Sequence, residues 1–286
     1  MTGMARLLVL LLVATGLVCV SGAPAATAAD DQVRVGSFNV DRGRGLPAWR
    51  RAVRELRSQV DVAGLQEVSS AAKRRFLASG RWGAFGATPG PDENPVVWDR
   101  ADFHRVGAEA VRIAGRQGRL PASYATVVQL DQRATGQRYA VLNVHLVWGA
   151  VEDGRKVPGH HARYRYYVAQ VRGLARAVAG ERRLGVSRVL VVGDFNVDHR
   201  HDRRLRHRAL PAAMLGEVGL VSAWDSRGEL PARGGTSTMG AGYIDNVWSS
   251  DPARAVRTLR GVSGGQHHPV VATYGATTAN PAPTAP

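Results

Sequence analysis

Several apolar runs in this chain end abruptly in a carboxylate, an amide or an imidazole. The longest is Val189-Leu190-Val191-Val192-Gly193-Asp194-Phe195-Asn196. Its unbroken aliphatic residues predict a strand buried on both faces, and Gly193 marks its end. Asp194 and Asn196 are two residues apart, so on an extended chain they share a side and can converge on one ligand at the rim of a rigid scaffold. A carboxylate beside a neutral amide suits a hard metal ion or an activated water bound to a phosphate. The same residue types close ordinary polar turns, so this run alone leaves both readings open.

Four further clusters carry the same chemistry: Ser37-Phe38-Asn39-Val40-Asp41, Leu65-Gln66-Glu67, Asn143-Val144-His145, and Ile244-Asp245-Asn246 followed by His267-His268-Pro269. Glu67 closes an apolar strand, where a carboxylate is costly to bury unless it is paired or binds a cation, and this makes it a metal-ligand candidate. In Asn143-Val144-His145 the period of two puts amide and imidazole on one face, and a His near an acid can donate to a phosphate oxygen or a leaving group.

Strands must position these residues. The patterning predicts them over 33–38, 61–67, 94–98, 103–113, 124–130, 139–145, 189–194, 236–239 and 243–248, with a last one after His267. Helices are predicted from Pro47 (Trp49, Val53 and Leu56 inward), from Ser69 or Ser70 to about Ser79, and from Gly159, where Tyr164, Val168, Val171, Ala175 and Val178 form the apolar stripe. His199-Arg200-His201-Asp202-Arg203-Arg204-Leu205-Arg206-His207-Arg208 begins three residues beyond Asn196 and is the densest basic run. Beside a reacting phosphate, Arg203 and Arg204 would add affinity for a polyanion without reading sequence; the other reading is a solvated helix face.

Composition bounds the partner. The 286 residues suit one large layered α/β domain, and a formal charge of +15 implies attraction to polyanions such as nucleic acid or anionic surfaces. Only Lys73 and Lys156 are lysines, so base composition accounts for the choice of Arg but not for the excess of basic over acidic residues. Arg6, the apolar run from Leu7 to Val20 and Ala26-Thr27-Ala28 read as a secretory leader over 1–28, hence a secreted protein. That run falls short of the ~20 residues a membrane span needs, so no stable membrane insertion is expected. The sole cysteine, Cys19, lies within the leader and leaves the mature chain without a disulfide. Residues 30–275 are expected to form the domain, 276–286 a disordered tail, and the protein a monomer.

The ordered set of five clusters resembles the endonuclease/exonuclease/phosphatase superfamily over roughly residues 33–274. The resemblance implies an α/β (α+β) four-layer sandwich of two packed mixed β-sheets flanked by helices, with the site where strand ends meet. It further implies that Asn39, Asp41 and Glu67 hold one Mg²⁺ or Mn²⁺, that Asp194 orients or deprotonates the attacking water, and that Asn196 fixes phosphate geometry. His267, held by Asp245, would contact the phosphate, and His145 the phosphate or the leaving oxygen; Asn94 and Asn143 would touch substrate. One departure stands out: the family usually has Asp before the last His, and here that place is Gln266. Three readings follow: a secreted metal-dependent nuclease, a sphingomyelinase or phospholipase C-like phosphodiesterase, and a non-catalytic polyanion-binding member of the fold.

Overall fold

The computed structural model describes residues 32–86, 93–232, 234–240, 242–262 and 265–275. The expected leader with Cys19 and the expected tail lie outside the described residues. In chain order the first elements are β1 (Val33–Asn39), α1 (Leu46–Arg57), β2 (Val62–Gln66), α2 (Ala71–Leu77), β3 (Trp82–Phe85), β4 (Val96–Asp99), β5 (Phe103–Ala114), β6 (Ser123–Gln132) and β7 (Arg138–His145). A small hairpin, β8 (Val151–Glu152) and β9 (Arg155–Lys156), precedes α3 (His161–Arg183) and β10 (Arg188–Asp194). There follow α4 (His199–Leu205), α5 (Pro211–Glu217), β11 (Val221–Ser222), a 3-10 turn (Ala223–Arg227), β12 (Asp245–Ser249), β13 (Ala255–Thr258) and β14 (Val270–Tyr274).

The strands form two six-stranded sheets, in the orders β13-β14-β1-β2-β4-β3 and β11-β12-β10-β7-β6-β5. Each sheet is mixed, because β1 runs parallel to β2 and β7 parallel to β10 while the other pairs are antiparallel. Side-chain alternation explains the layering. Leu190 and Val192 of β10, Tyr139 and Val141 of β7, and Val247 of β12 turn inward to meet Val33, Val35 and Val62 of the other sheet. Val189 and Val191 turn outward beneath Tyr167, Val171, Leu174 and Val178 of α3. Phe38, Ala63, Leu65 and Val97 turn outward beneath Trp49, Val53 and Leu56 of α1. The result is the expected four-layer sandwich. Val189, Leu190, Val191 and Val192 are at most 1% exposed, and each such side chain contributes about 1.5–3 kcal/mol of burial free energy.

Gly64 lets the sheets approach closely near the site. A Cβ there would lie 2.4 Å from Val192 Cγ2 and 2.6 Å from the Asn143 amide carbon, so no larger residue fits without moving β10 or displacing Asn143.

Some expectations need correction. Residues 236–239 form no strand; Ser237 makes only an isolated bridge to His267. The buried face of α3 carries Tyr166, Tyr167, Gln170, Val171, Leu174 and Val178, so Tyr164, Val168 and Ala175 sit at its margin. The short strands β3 and β13, the β8-β9 hairpin and α5 escape the sequence patterning.

Candidate active site

Alternation carries the site residues to one place. Asp194 continues the inward series Leu190, Val192; His145 continues Tyr139, Val141, Asn143; and Asp245 shares its face with Val247. Register then sets them in a row, with Asp194 opposite His145 on one side and opposite Asp245 on the other. From the facing sheet, Asn39 continues the inward series Val33, Val35. Glu67 would by parity point outward with Leu65, but its φ of +65° breaks the extended chain and redirects the side chain to the cleft. Asp41 (φ +58°) and Asn196 (φ +50°) are left-handed as well. Such backbone costs on the order of 1–3 kcal/mol per residue and persists where surrounding structure holds it.

The cleft has a volume of about 660 Å³, and its lining includes Asn39, Glu67, Asn94, His145, Asp194, Asn196, Gln266 and His267. Asp194 is its hub. Asp194 Oδ2 accepts from Asn39 Nδ2 at 3.1 Å and lies 3.5 Å from His145 Nε2 and 3.7 Å from His267 Nε2, while Oδ1 accepts from the Asn196 N–H at 2.9 Å. Asn196 is fixed in turn by donating to Leu146 O at 2.9 Å. Asp245 stands behind His267, fully buried, with its Oδ2 2.8 Å from His267 Nδ1. Asn39 Nδ2 also donates to Glu67 Oε1 at 3.2 Å, and the Arg42 N–H donates to Glu67 Oε2 at 2.9 Å.

These contacts set the protonation states. Burial, and next the facing Asp245, push the Asp194 carboxyl above its ordinary range against the opposing pull of His145, His267 and Asn39. Burial also works against a charged His267, yet Asp245, Asp194 and Glu67 raise it to about 10. Burial would raise Glu67 too, but the Arg42 N–H, His145, Asn39 and the Arg42 guanidinium outweigh it and hold the carboxylate below the usual range. The cleft thus presents an anionic Glu67, an unusually basic Asp194 and an imidazolium.

Among the described residues one group of three potential ligands has its atoms within 4.8 Å of one another: Asp194, Asp245 and His267. The 2.8 Å bond between His267 and Asp245 makes this triad a proton-holding arrangement, because a cation bound there would have to displace the proton that pairs the two carboxylates. The hard-oxygen set open to the cleft is Glu67, Asp194, the Asn39 amide and Asn94, whose buried Oδ1 has no hydrogen-bond partner. That set fits Mg²⁺ or Mn²⁺. Asp41 does not line the cleft, and its Oδ1 accepts from the Gly43 N–H at 2.8 Å.

Placement corrects one expectation and narrows another. Asn143 is fully buried, donating to Leu65 O and Pro95 O at 2.8 Å each and accepting from Gln66 Nε2 at 2.7 Å, so its amide stitches the sheets together and cannot meet substrate. Arg203 and Arg204 lie on α4, capped by Asp198, and neither lines the cleft. Arg203 donates to Gly228 O at 2.8 Å and sits 3.5 Å from Asp225, while Arg204 is exposed. Sequence reading missed Arg42, Glu93, Tyr124, Trp148 and Gln170, all of which line the cleft; the proximity of Arg42 to Asp41, of Glu93 to Asn94 and of Trp148 to His145 could have signalled three of them.

No curated protein sequence matches the chain significantly. Solved structures do match in fold. The human Nocturnin catalytic domain superposes with a TM-score of 0.61 at 17% identity, covering 85% of this chain and 94% of that one. Truncated TDP2 of Caenorhabditis elegans gives 0.62 at 18% identity over 86% and 98% of the two chains. A mannosyl-6-phosphatase of Bacteroides thetaiotaomicron gives 0.63 at 15% identity over 84% and 98%. The model of the endonuclease/exonuclease/phosphatase family matches residues 36–275, and the chain belongs to that family of phosphoester hydrolases.

Proposed function

We propose that the chain is an exported, divalent-metal-dependent phosphodiesterase that hydrolyses nucleic acid. The observation that carries this reading is the setting of Asp194 Oδ2, which has Asn39, His145 and His267 nitrogens within 3.1–3.7 Å beside the Glu67 carboxylate. Glu67 and Asp194, with Asn39 and Asn94 nearby, would hold Mg²⁺ or Mn²⁺. When bound, the ion supplies positive charge to the phosphate oxygens as negative charge develops.

The chain's own residues account for the proton movements. Asp194 takes the proton of a water whose oxygen attacks phosphorus in line with the departing ester oxygen. Asn196 and Asn39 keep that carboxylate aimed. His267, held charged by Asp245, donates to a non-bridging phosphate oxygen and gathers the developing charge. His145 serves the phosphate or the leaving oxygen. Nucleic acid is the favoured substrate because the formal charge of +15 suits a polyanion. Export rests on the leader pattern in residues 1–28, and recovery of a shortened chain from the medium would test it. Among the described residues no helix is long and apolar enough to cross a membrane.

The deciding experiment offers purified protein plasmid DNA, RNA and sphingomyelin, each with Mg²⁺ and with EDTA. Polynucleotide cleavage that EDTA abolishes is expected. Hydrolysis of sphingomyelin alone would transfer the chain to the phospholipase C-like reading, and tight DNA binding with no cleavage to the non-catalytic one.

A further inference from the structure

Helix α3 does more than cover its sheet. Its N-cap His160 and then Arg163, Tyr166, Tyr167 and Gln170 recur at three- and four-residue spacing, and each reaches a segment that shapes the cleft. His160 Nδ1 meets Gly149 O at 2.7 Å and Arg163 Nη1 donates to Trp148 O at 2.8 Å. The Tyr166 hydroxyl donates to Pro121 O. Gln170, 2% exposed, accepts from the Val147 N–H and donates to Ser123 Oγ, both at 2.9 Å. Tyr167 donates to Phe195 O at 2.9 Å, tying the same helix to the turn beside Asp194.

The segments so fixed form one wall of the cavity that holds Asp194 and His145. That wall presents Leu120, Pro121, Ala122, Tyr124 and Trp148. Trp148 is 73% exposed. Single exposed apolar residues are common on protein surfaces and need no special account. Trp148 differs because the backbone on both sides of it is pinned by a helix and because the residue lines the reacting cleft. It also lies three residues beyond His145, at most about 10 Å along the chain.

We propose that Trp148, with the apolar wall of residues 120–124, is a stacking subsite for the nucleobase next to the scissile phosphate. This deepens the nucleic-acid reading above and rests on it. An indole face accepts any base, so the subsite adds affinity and position without sequence preference. Pinning the loop beforehand removes an ordering cost that a mobile tryptophan would incur on binding.

The test compares wild type, Trp148→Ala and Trp148→Phe in EDTA, by fluorescence anisotropy with a labelled oligothymidylate and with an abasic oligomer of equal length and charge. Trp148→Ala is expected to weaken oligothymidylate binding about 5- to 150-fold, the worth of one stacked base, and to leave the abasic oligomer unaffected. Trp148→Phe should recover most of the loss. Equal losses on both oligomers, or none on either, would overturn the subsite alone. So would loss of binding to sphingomyelin vesicles in Trp148→Ala with oligothymidylate binding intact, which would make Trp148 a membrane contact. If wild type binds neither oligomer, the nuclease reading and the subsite fall together.

Discussion

Asp194 and Asp245 stand directly opposite one another on neighbouring antiparallel strands, both turned toward the facing sheet. Like charges so placed destabilise a sheet. His267 relieves the repulsion, bonding Asp245 at 2.8 Å with one ring nitrogen and approaching Asp194 to 3.7 Å with the other. The pair is held together by the group that would meet the phosphate, so structural and catalytic demands fall on the same proton.

Asp194→Asn is therefore expected to leave the fold intact or slightly stabilised, since one of two facing charges disappears, while turnover falls by roughly 10² to 10⁴, the usual worth of a general base. Thermal melts and steady-state rates on the same preparation decide this. Activity within a few-fold of wild type would remove Asp194 from the mechanism.

His267 gives a pH signature of definite sign. Its folded pKa near 10 lies above the ordinary value of about 6.5. The associated stability is fully present below about pH 6.5 and is lost as pH rises through about 10. In Asp245→Asn the main charge partner is gone, so the decline in Tm between pH 7 and 10 should flatten and the rate should drop. A Tm-against-pH series showing identical slopes for wild type and variant would show that Asp245 does not hold the proton on His267.

Asp202 has the same sign in a lower pH window. Burial raises its carboxyl to about 6, against the Ala212 N–H and His199 that favour the charge. Its folded pKa exceeds the unfolded value of about 3.9, so the folded state binds more protons between the two and stability rises as pH falls from about 6 to about 4. The linkage is on the order of 2–3 kcal/mol. Asp202→Asn should erase that slope, as read from chemical denaturation across the same window.

Much of the site was legible because strand alternation marks faces. Asn39, His145, Asp194 and Asp245 end inward-facing series that the sequence displays. Depth was not legible. Asn143 shares the face of His145 but lies two residues deeper, where sheet-to-sheet packing at Gly64 demands an amide bonded on every side. Nor does periodicity report a backbone turn, and Glu67 reaches the cleft only through its positive φ. The stripe of α3 was read only in part: Val171 and Val178 are buried as expected, but Gln170 is buried by hydrogen bonds to Val147 and Ser123, remote in sequence, a demand that apolar spacing cannot encode.

The basic run on α4 is expected to contribute less than its density suggests. Arg200 is bound to Asp198, and Arg203 donates to Gly228 O. Replacing Arg204 and Arg206 with Gln should account for the whole effect of replacing Arg203, Arg204 and Arg206 together. Each lost duplex phosphate contact shallows the log-log salt dependence by about 0.9. Binding isotherms on duplex DNA across a salt series separate this from an unchanged slope, which would make the run a solvated helix face.

Gln266 offers the sharpest test of how this chain holds a cation. Its side chain is exposed at the cleft, and the preceding Gly265 abuts the Asp41 carboxylate so closely that a Cβ there would lie 2.7 Å from Asp41 Oδ2. Gln266→Asp adds a negative charge to a neighbourhood that already holds Asp41, Glu67 and Asp194. Without metal the added repulsion should lower Tm. With Mg²⁺ the same charge should tighten binding, so the metal-induced rise in Tm should exceed that of wild type and the Mg²⁺ concentration for half-maximal activity should fall. The two shifts have opposite signs and cannot both come from a general loss of packing. A lower Tm in EDTA with no larger metal-induced gain would place residue 266 outside the cation's reach and leave Glu67, Asp194, Asn39 and Asn94 as the groups that hold it.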